Sequence, residues 1–324
     1  FGIIGCGLIG NKRALSIKKN QIYACYDSNI ITARKFAKKF NCKRFNKASE
    51  LIKNKNIDII FICTYHNALS KYAELSIKSG KNILVEKPSG RNLKEIKNLI
   101  GFCKNNQKVK VHVGYNHRFH PSIIKAKEIL NKNYLGELMY IRARYGHGAR
   151  LNYHKEWRMQ KQISGGGELI DQGSHIIDLA RYFLGKLDLK NFLIKNFFWK
   201  SNVEDNAFLI LGSKNNKKVA FLHCSCTEWK NKFSFEIFGK SGKIHINGLG
   251  GSYGVETLKF YKMKKKMGKP NVKIWKFKTQ DNSWKNEINY FLKIIKYKKK
   301  SESDMKNAFE NMKIISKCYS NRKI

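Results

Sequence analysis

The chain has 324 residues, with 65 Lys and Arg against 23 Asp and Glu and a formal net charge of +42. This length suits two domains, and no apolar run reaches the roughly 18 residues that span a membrane. So high a charge ordinarily points to nucleic acid or an anionic membrane, but the lysines are scattered among many asparagines and isoleucines, the bias of an A+T-rich genome, so neither partner is expected.

Phe1-Gly2-Ile3-Ile4 reads as a short apolar strand running into Gly5-Cys6-Gly7-Leu8-Ile9-Gly10 and then a helical stretch. In this Gly-x-Gly-x-x-Gly turn Gly5 permits the sharp bend, Gly7 lets a pyrophosphate approach the backbone, and Gly10 lets the helix lie close on the strand, its N-terminus facing the phosphates. A second strand, Gln21 to Tyr26, ends in Asp27. A carboxylate there accepts from both ribose hydroxyls and repels a 2′-phosphate, which favours NAD over NADP. A glycine-rich turn in some other α/β domain, such as a methyltransferase, is the alternative.

Ile57 to Thr64 is almost wholly apolar, as in a parallel strand covered on both faces. A helix over Ala68 to Ser79 follows, with Gly80 at its stop. The next strand closes as Ile83-Leu84-Val85-Glu86-Lys87-Pro88, and a lysine ending an apolar run is not explained by packing. Pro88 is one of three prolines and stops the strand; a cis bond before it would aim Lys87 out of the sheet. The plainer alternative is a surface lysine snorkelling from a strand end. A helix (Leu93 to Asn105) and a strand (Val109 to Tyr115) come next, with Asn116, His117 and Arg118 at the strand's end. Alternating strand and helix predicts an α/β doubly wound parallel sheet, whose ligands gather at the carboxyl ends of the strands. This domain is expected to occupy 1–119.

Over 120–324 the pattern changes to a helix, Pro121 to Asn131, followed by strands of alternating character. These are Leu138 to Tyr145, Leu189 to Trp199, Asn206 to Leu211, Lys218 to Thr227, Lys232 to Phe238, Lys243 to Asn247, Glu256 to Tyr261 and Val272 to Phe277. They predict an α+β domain with a large, mostly antiparallel open sheet, closed by helices Trp284 to Lys298 and Asp304 to Tyr319. Lys262-Met263-Lys264-Lys265-Lys266 and Lys296-Tyr297-Lys298-Lys299-Lys300 are expected to be solvated, holding polyanions only at low salt. Trp157 and Arg158 read either as pocket lining, the arginine suiting a carboxylate or phosphate, or as loop residues. After Gly165-Gly166-Gly167 a helix is expected to carry Asp171 and His175 on one face, with Asp178 placed to hold the far ring nitrogen. Such a polar stripe is costly unless it does chemistry; a core histidine capped by Asp178 is the alternative. Eight cysteines without a Cys-x-x-Cys pair read as thiols of a reduced cytoplasm, and no metal site is expected at Cys224-x-Cys226.

Taken in order, Gly5-Cys6-Gly7-Leu8-Ile9-Gly10, Glu86-Lys87-Pro88 and Gly165-Gly166-Gly167 leading to Asp171, His175 and Asp178 resemble the glucose-fructose oxidoreductase / inositol dehydrogenase / MocA (Gfo/Idh/MocA) family of NAD(P)-dependent sugar oxidoreductases. The likeness covers essentially the whole chain. It implies a Rossmann domain, an α+β domain whose open sheet forms a homodimer or homotetramer interface, and substrate bound between the domains. NAD is the implied cofactor, ahead of NADP, held by Gly5, Gly7, Leu8, Ile9, Gly10, Asp27, Thr64, Glu86 and Lys87. Lys87, Asp171 and His175 take the catalytic positions, and Asn116, His117, Arg118, Trp157 and Arg158 join them around the substrate.

The implied reaction moves a hydride between the nicotinamide and a secondary alcohol or ketone of a sugar, cyclitol or nucleotide sugar. An imidazole suits the proton, so His175 is the expected base, with His117 second. Lys87 would grip the reacting oxygen and Asp171 orient the lysine or the sugar. Glu156-Trp157-Arg158, Thr227 to Asn231 and Gly248 to Gly254 are similar to stretches of bacterial surface-sugar enzymes, which suggests a role in surface-polysaccharide sugars. A non-catalytic NAD-binding sensor or assembly protein on the same fold is the alternative. The chain starts directly in its first strand, so no signal peptide and a cytoplasmic location are expected.

Overall fold

The computed structural model describes residues 1–277 and 280–321. Two compact units emerge, one from Phe1–Tyr115, Gln162–Gly165 and Trp284–Lys313, the other from Asn116–Lys161, Gly166–Ser283 and the residues from Ile314 onward. Each unit thus takes three stretches of chain, where the sequence reading places one cut after Phe119.

In the first unit β1 (Gly2–Ile4), α1 (Leu8–Leu15), β2 (Ala24–Tyr26), α2 (Ile30–Phe40), β3 (Lys43–Arg44), α3 (Ala48–Lys53), β4 (Ile59–Ile62), α4 (His66–Lys78), β5 (Asn82–Glu86), α5 (Leu93–Asn105) and β6 (Val111–Gly114) alternate. All the pairings are parallel, in the order β3-β2-β1-β4-β5-β6. Because successive strand side chains point to opposite faces, the run Ile59 to Ile62 feeds two cores. Ile60 and Ile62 join Ile4, Ile83 and Val85 on one side, while Ile59 and Phe61 join Ile3, Cys25 and Leu84 on the other. Asn29 and Asn92 cap α2 and α5 by accepting from the Thr32 and Glu95 amides, each at 3.0 Å. Asn41 and Gly80 take positive φ where α2 and α4 end. The second strand is shorter than expected because β1 offers only three residues to pair with it; Lys19–Gln21 form a 3₁₀ turn instead.

The second unit follows with α6 (Pro121–Asn131), β7 (Leu138–Gly146), a π-helical turn (Leu169–Gly173) and α8 (Ser174–Leu184), the short α7 (Lys161–Ser164) before the glycine run belonging mostly to the first unit. Then come β8 (Asp188–Lys195), β9 (Asn206–Gly212), β10 (Val219–Ser225), β11 (Lys232–Gly239), β12 (Gly242–Asn247), β13 (Thr257–Lys262) and β14 (Asn271–Lys276). The sheet order is β14-β13-β12-β11-β7-β10-β9-β8, antiparallel except between β7 and β10. Alternation is clean along β7: Ile141, Ala143 and Tyr145 are buried, Tyr140, Arg142 and Arg144 exposed. That outer face carries aromatic pairs, Tyr140 on Phe238 with centroids 4.2 Å apart and Phe208 on His223 at 4.1 Å.

Helices α9 (Ser283–Lys296) and α10 (Met305–Ser320) close the chain. From α9, Ile288, Phe291 and Ile294 pack on Phe61 and Leu84, and between the helices Ser303 pairs with the edge of β6, its carbonyl accepting from the Val113 amide at 2.7 Å. Covering the edge strand in this way prevents stray pairing, and it is why the first unit needs residues from the far end of the chain.

Candidate active site

At the carboxyl ends of β1, β2 and β4 a pocket of about 450 Å³ is lined by Gly5, Gly7, Asp27, Asn29, Thr32 and Thr64, together with Tyr26, Cys63, Tyr65 and Tyr72. This is the strand order and switch point at which doubly wound sheets take dinucleotides. Gly5 has φ +94°, and a Cβ on it would lie 2.5 Å from the Cys63 carbonyl oxygen; one on Gly10 would lie 2.0 Å from the Gly5 carbonyl oxygen. A Cβ on Gly7 would meet nothing within 4 Å. The turn is therefore packed solid behind and open in front, the shape a pyrophosphate needs. Leu8 and Ile9 open α1, the leucine largely exposed. Asp27 braces the turn as well as facing the pocket: its carboxylate accepts from the Cys6 amide at 2.7 Å and the Asn29 amide at 2.8 Å.

Lys87 is half-buried at the end of β5 and its bond to Pro88 is cis. Glu86 beside it faces inward. It accepts from Arg13 Nε at 2.8 Å and Nη2 at 2.6 Å, while Arg13 Nη1 donates to Glu287 of α9. His112 Nε2 lies 3.1 Å from the other Glu287 oxygen and Nδ1 2.8 Å from the Ser301 hydroxyl. The guanidinium is fully buried and sits 4.6 Å over the Trp284 ring. Gly114 makes room for it, since a Cβ there would lie 2.6 Å from Arg13 Nη2. Burial alone would raise the Glu287 carboxyl, but Arg13 and His112 hold it below its ordinary value. Glu86, named as a cofactor contact from sequence, is thus committed to a buried ion network.

In the second unit His117 and His175 stack with centroids 3.8 Å apart and 24° between planes, and Tyr145 meets the His117 ring edge-on at 5.1 Å. Both rings are almost fully buried. Burial and neighbouring Tyr253 push the Tyr145 phenol far up, which keeps it a neutral donor. Asp171 lies in the π-helical turn, a feature frequent at functional sites, and accepts from Arg158 Nε at 2.9 Å. The guanidinium of Arg158 rests 4.5 Å above the Trp157 ring. Asn116 donates to the Ser283 hydroxyl at 2.9 Å. Both oxygens of Asp178 accept from the Arg118 fork, at 2.6 Å each. Arg118, in turn, is buried in that pair and lies 4.9 Å over Tyr182.

Sequence reasoning missed what the glycine run is for. A Cβ on Gly166 would lie 2.0 Å from the Tyr319 hydroxyl, and one on Gly167 2.0 Å from the Glu204 carbonyl oxygen. These glycines admit Glu204, whose Oε1 accepts from the Gly167 amide at 3.0 Å, the Leu169 amide at 3.1 Å and the Tyr319 hydroxyl at 2.8 Å. A buried carboxylate thereby ties off the start of the turn that bears Asp171. Burial raises the Glu204 carboxyl against the pull of these donors. Glu168 makes a second buried cluster: Tyr153 donates to its Oε1 at 3.2 Å and His147 Nε2 lies 3.4 Å away. No local signal could have exposed either carboxylate; only the density of glycines hinted at close approach. No metal-ligand cluster occurs among the described residues.

Residues 1–115 match the family profile described as the oxidoreductase family with an NAD-binding Rossmann fold, and residues 123–245 match that of the GFO/IDH/MocA C-terminal domain. The chain is 25% identical over 228 residues to a levoglucosan dehydrogenase of Pseudarthrobacter phenanthrenivorans, covering 65% of this chain and 58% of that protein. It is likewise 25% identical over 260 residues to a myo-inositol 2-dehydrogenase of Thermotoga maritima, covering 77% of this chain and 75% of that one. A solved structure of levoglucosan dehydrogenase in complex with NADH and levoglucosan has the same fold, with a TM-score of 0.87 at 20% identity over 98% of this chain and 96% of that chain. With its N-terminal and C-terminal portions each matched, the chain belongs to the Gfo/Idh/MocA oxidoreductase family.

Proposed function

We propose that the protein is an NAD-dependent oxidoreductase acting on a secondary alcohol or ketone of a sugar, cyclitol or nucleotide sugar. The observation that carries this reading is the pocket in the first unit, closed behind by Gly5 and Gly10, open at Gly7 and edged by the Asp27 carboxylate. Levoglucosan and myo-inositol, for which the two relatives are named, are both polyhydroxylated rings, which supports the substrate class. Bound there, the dinucleotide supplies a carbon that accepts or returns a hydride.

The chain's residues handle the oxygen and the proton. His175 takes the hydroxyl proton on oxidation and returns it on reduction, a task worth about 10²–10⁴ in rate. Its ring stacks on that of His117, which limits how it can turn. Lys87 donates to the reacting oxygen and stabilises its developing negative charge. Asp171, held by Arg158, orients the sugar. The aromatic outer face of the eight-stranded sheet, with Tyr140 on Phe238 and Phe208 on His223, suits pairing with a second copy into a homodimer or homotetramer. The free thiols suit a cytoplasmic setting, and bacterial surface-polysaccharide sugars are the finer role we assign. His175→Ala tests the mechanism: NADH binding should persist while turnover falls by about 10²–10⁴-fold. Full activity in that variant would overturn the assignment.

A further inference from the structure

Three arginines with little or partial exposure are used in three different ways. Arg13 commits its guanidinium to two carboxylates, Glu86 and Glu287. Arg118 closes a two-pronged fork on Asp178. Arg158 donates through Nε alone to Asp171, and neither of its terminal NH₂ groups has a protein acceptor among the described residues. Its side chain keeps 31% exposure, yet the guanidinium is not loose. Stacking on Trp157 and the Nε bond fix its plane and direction, leaving the four N–H donors of its two terminal nitrogens for a ligand.

A rigid planar fork of this kind matches the oxygens of a carboxylate or phosphate, and its donors lose little entropy when they bind. Charge balance permits an anion. Asp171 answers one carboxylate's worth of charge, but Arg13 shows that a single guanidinium in this chain holds a second. The other nearby carboxylate, Glu168, also acts on Arg158 electrostatically, but its hydrogen-bonding partners are Tyr153 and His147. We propose that Arg158 anchors an anionic group on the substrate, so that the sugar taken by this protein carries a carboxylate or a phosphate. The inference rests on the oxidoreductase reading and names the substrate class of that same site.

The test is calorimetric titration of the NADH-saturated protein with D-glucose, D-glucuronate and D-glucose 6-phosphate, for wild type, Arg158→Gln and Arg158→Lys. At least one charged sugar should bind about tenfold or more tighter than glucose, and the arm that does so identifies carboxylate or phosphate. Arg158→Gln should weaken that sugar by about 10- to 100-fold without altering NADH affinity. Arg158→Lys should recover only part of the loss, because it restores charge but not the fork. Glucose binding as tightly as both charged sugars overturns the inference, and so does an equal loss for glucose and the charged sugar in Arg158→Gln, which would make the arginine a brace for Asp171. A wild-type protein that fails to bind NADH sinks the oxidoreductase reading itself; one that binds NADH but shows no preference for charge sinks only this inference.

Discussion

Alanine at Gly7 and at Gly10 separates room kept for a ligand from room used up by packing. At Gly7 the backbone is extended (φ −72°, ψ −158°) and a Cβ meets nothing within 4 Å. Gly7→Ala should therefore fold, losing about 1 kcal/mol or less from a poorer helix cap. At Gly10 the new Cβ would lie 2.0 Å from the Gly5 carbonyl oxygen and 3.1 Å from its carbon. Backbone cannot swing aside as a side chain would, so about 1–3 kcal/mol or more should be lost to overpacking. For a chain of this size that is a fall of about 1–5 °C in Tm. For NADH the ranking is different. The methyl of Gly7→Ala stands where a diphosphate approaches the amides; losing one charge-assisted hydrogen bond of about 1.5–3 kcal/mol weakens NADH by about 10- to 100-fold. Scanning calorimetry and NADH titration read the two effects side by side. Wild-type NADH affinity in Gly7→Ala, or wild-type Tm in Gly10→Ala, would refute the reasoning.

Asp27→Ala should relax discrimination against NADP, and because Asp27 also accepts from the Cys6 and Asn29 amides, NAD affinity should fall with it. The ratio of NAD to NADP affinities is the readout, and an unchanged ratio would place ribose recognition elsewhere. Tyr319→Phe removes one of three donors to the buried Glu204 carboxylate and should cost about 1–3 kcal/mol by denaturant unfolding; a midpoint equal to wild type would mean that Glu204 does not rely on it. Burial lowers the His147 pKa, but Glu168 and Asp171 more than offset this, so the net shift is upward. A raised folded pKa contributes stability that is full below the ordinary value of about 6.5 and is lost as pH rises through the folded value. His147→Asn should thus be less stable than wild type in mild acid, with the gap narrowing in mild alkali; a gap independent of pH would contradict the pairing with Glu168.

Local chemistry made much of the fold readable. Helices Leu93–Asn105 and Pro121–Asn131 start and stop where Asn92, Pro121 and the apolar spacing put them, and period-2 alternation marked β7 and β11. Wherever a structural cause lies far along the chain, the sequence is silent. Arg13 and Glu287 are 274 residues apart, and nothing near either residue names the other, so the return of α9 to the first sheet could not be read. Asp178 sits at ideal spacing for His175, but nothing near it in sequence announces Arg118, 60 residues away, whose fork donates to both carboxylate oxygens. Regular 3.6-residue periodicity also hid the π-helical turn at Asp171, which follows directly on the glycine run bonded to Glu204. The three-glycine turn of the nucleotide pocket was legible for the opposite reason: backbone sterics within a few residues dictate Gly5 and Gly10, and Gly7 follows from the spacing of the motif they frame.

Equilibrium titration of the wild-type protein with NADH tests the central claim most directly. The account predicts saturable binding of one NADH per chain, displaced by AMP because we assign the adenosine end to the pocket edged by Asp27. Absence of saturable binding, or binding that AMP and Gly7→Ala leave untouched, would contradict it.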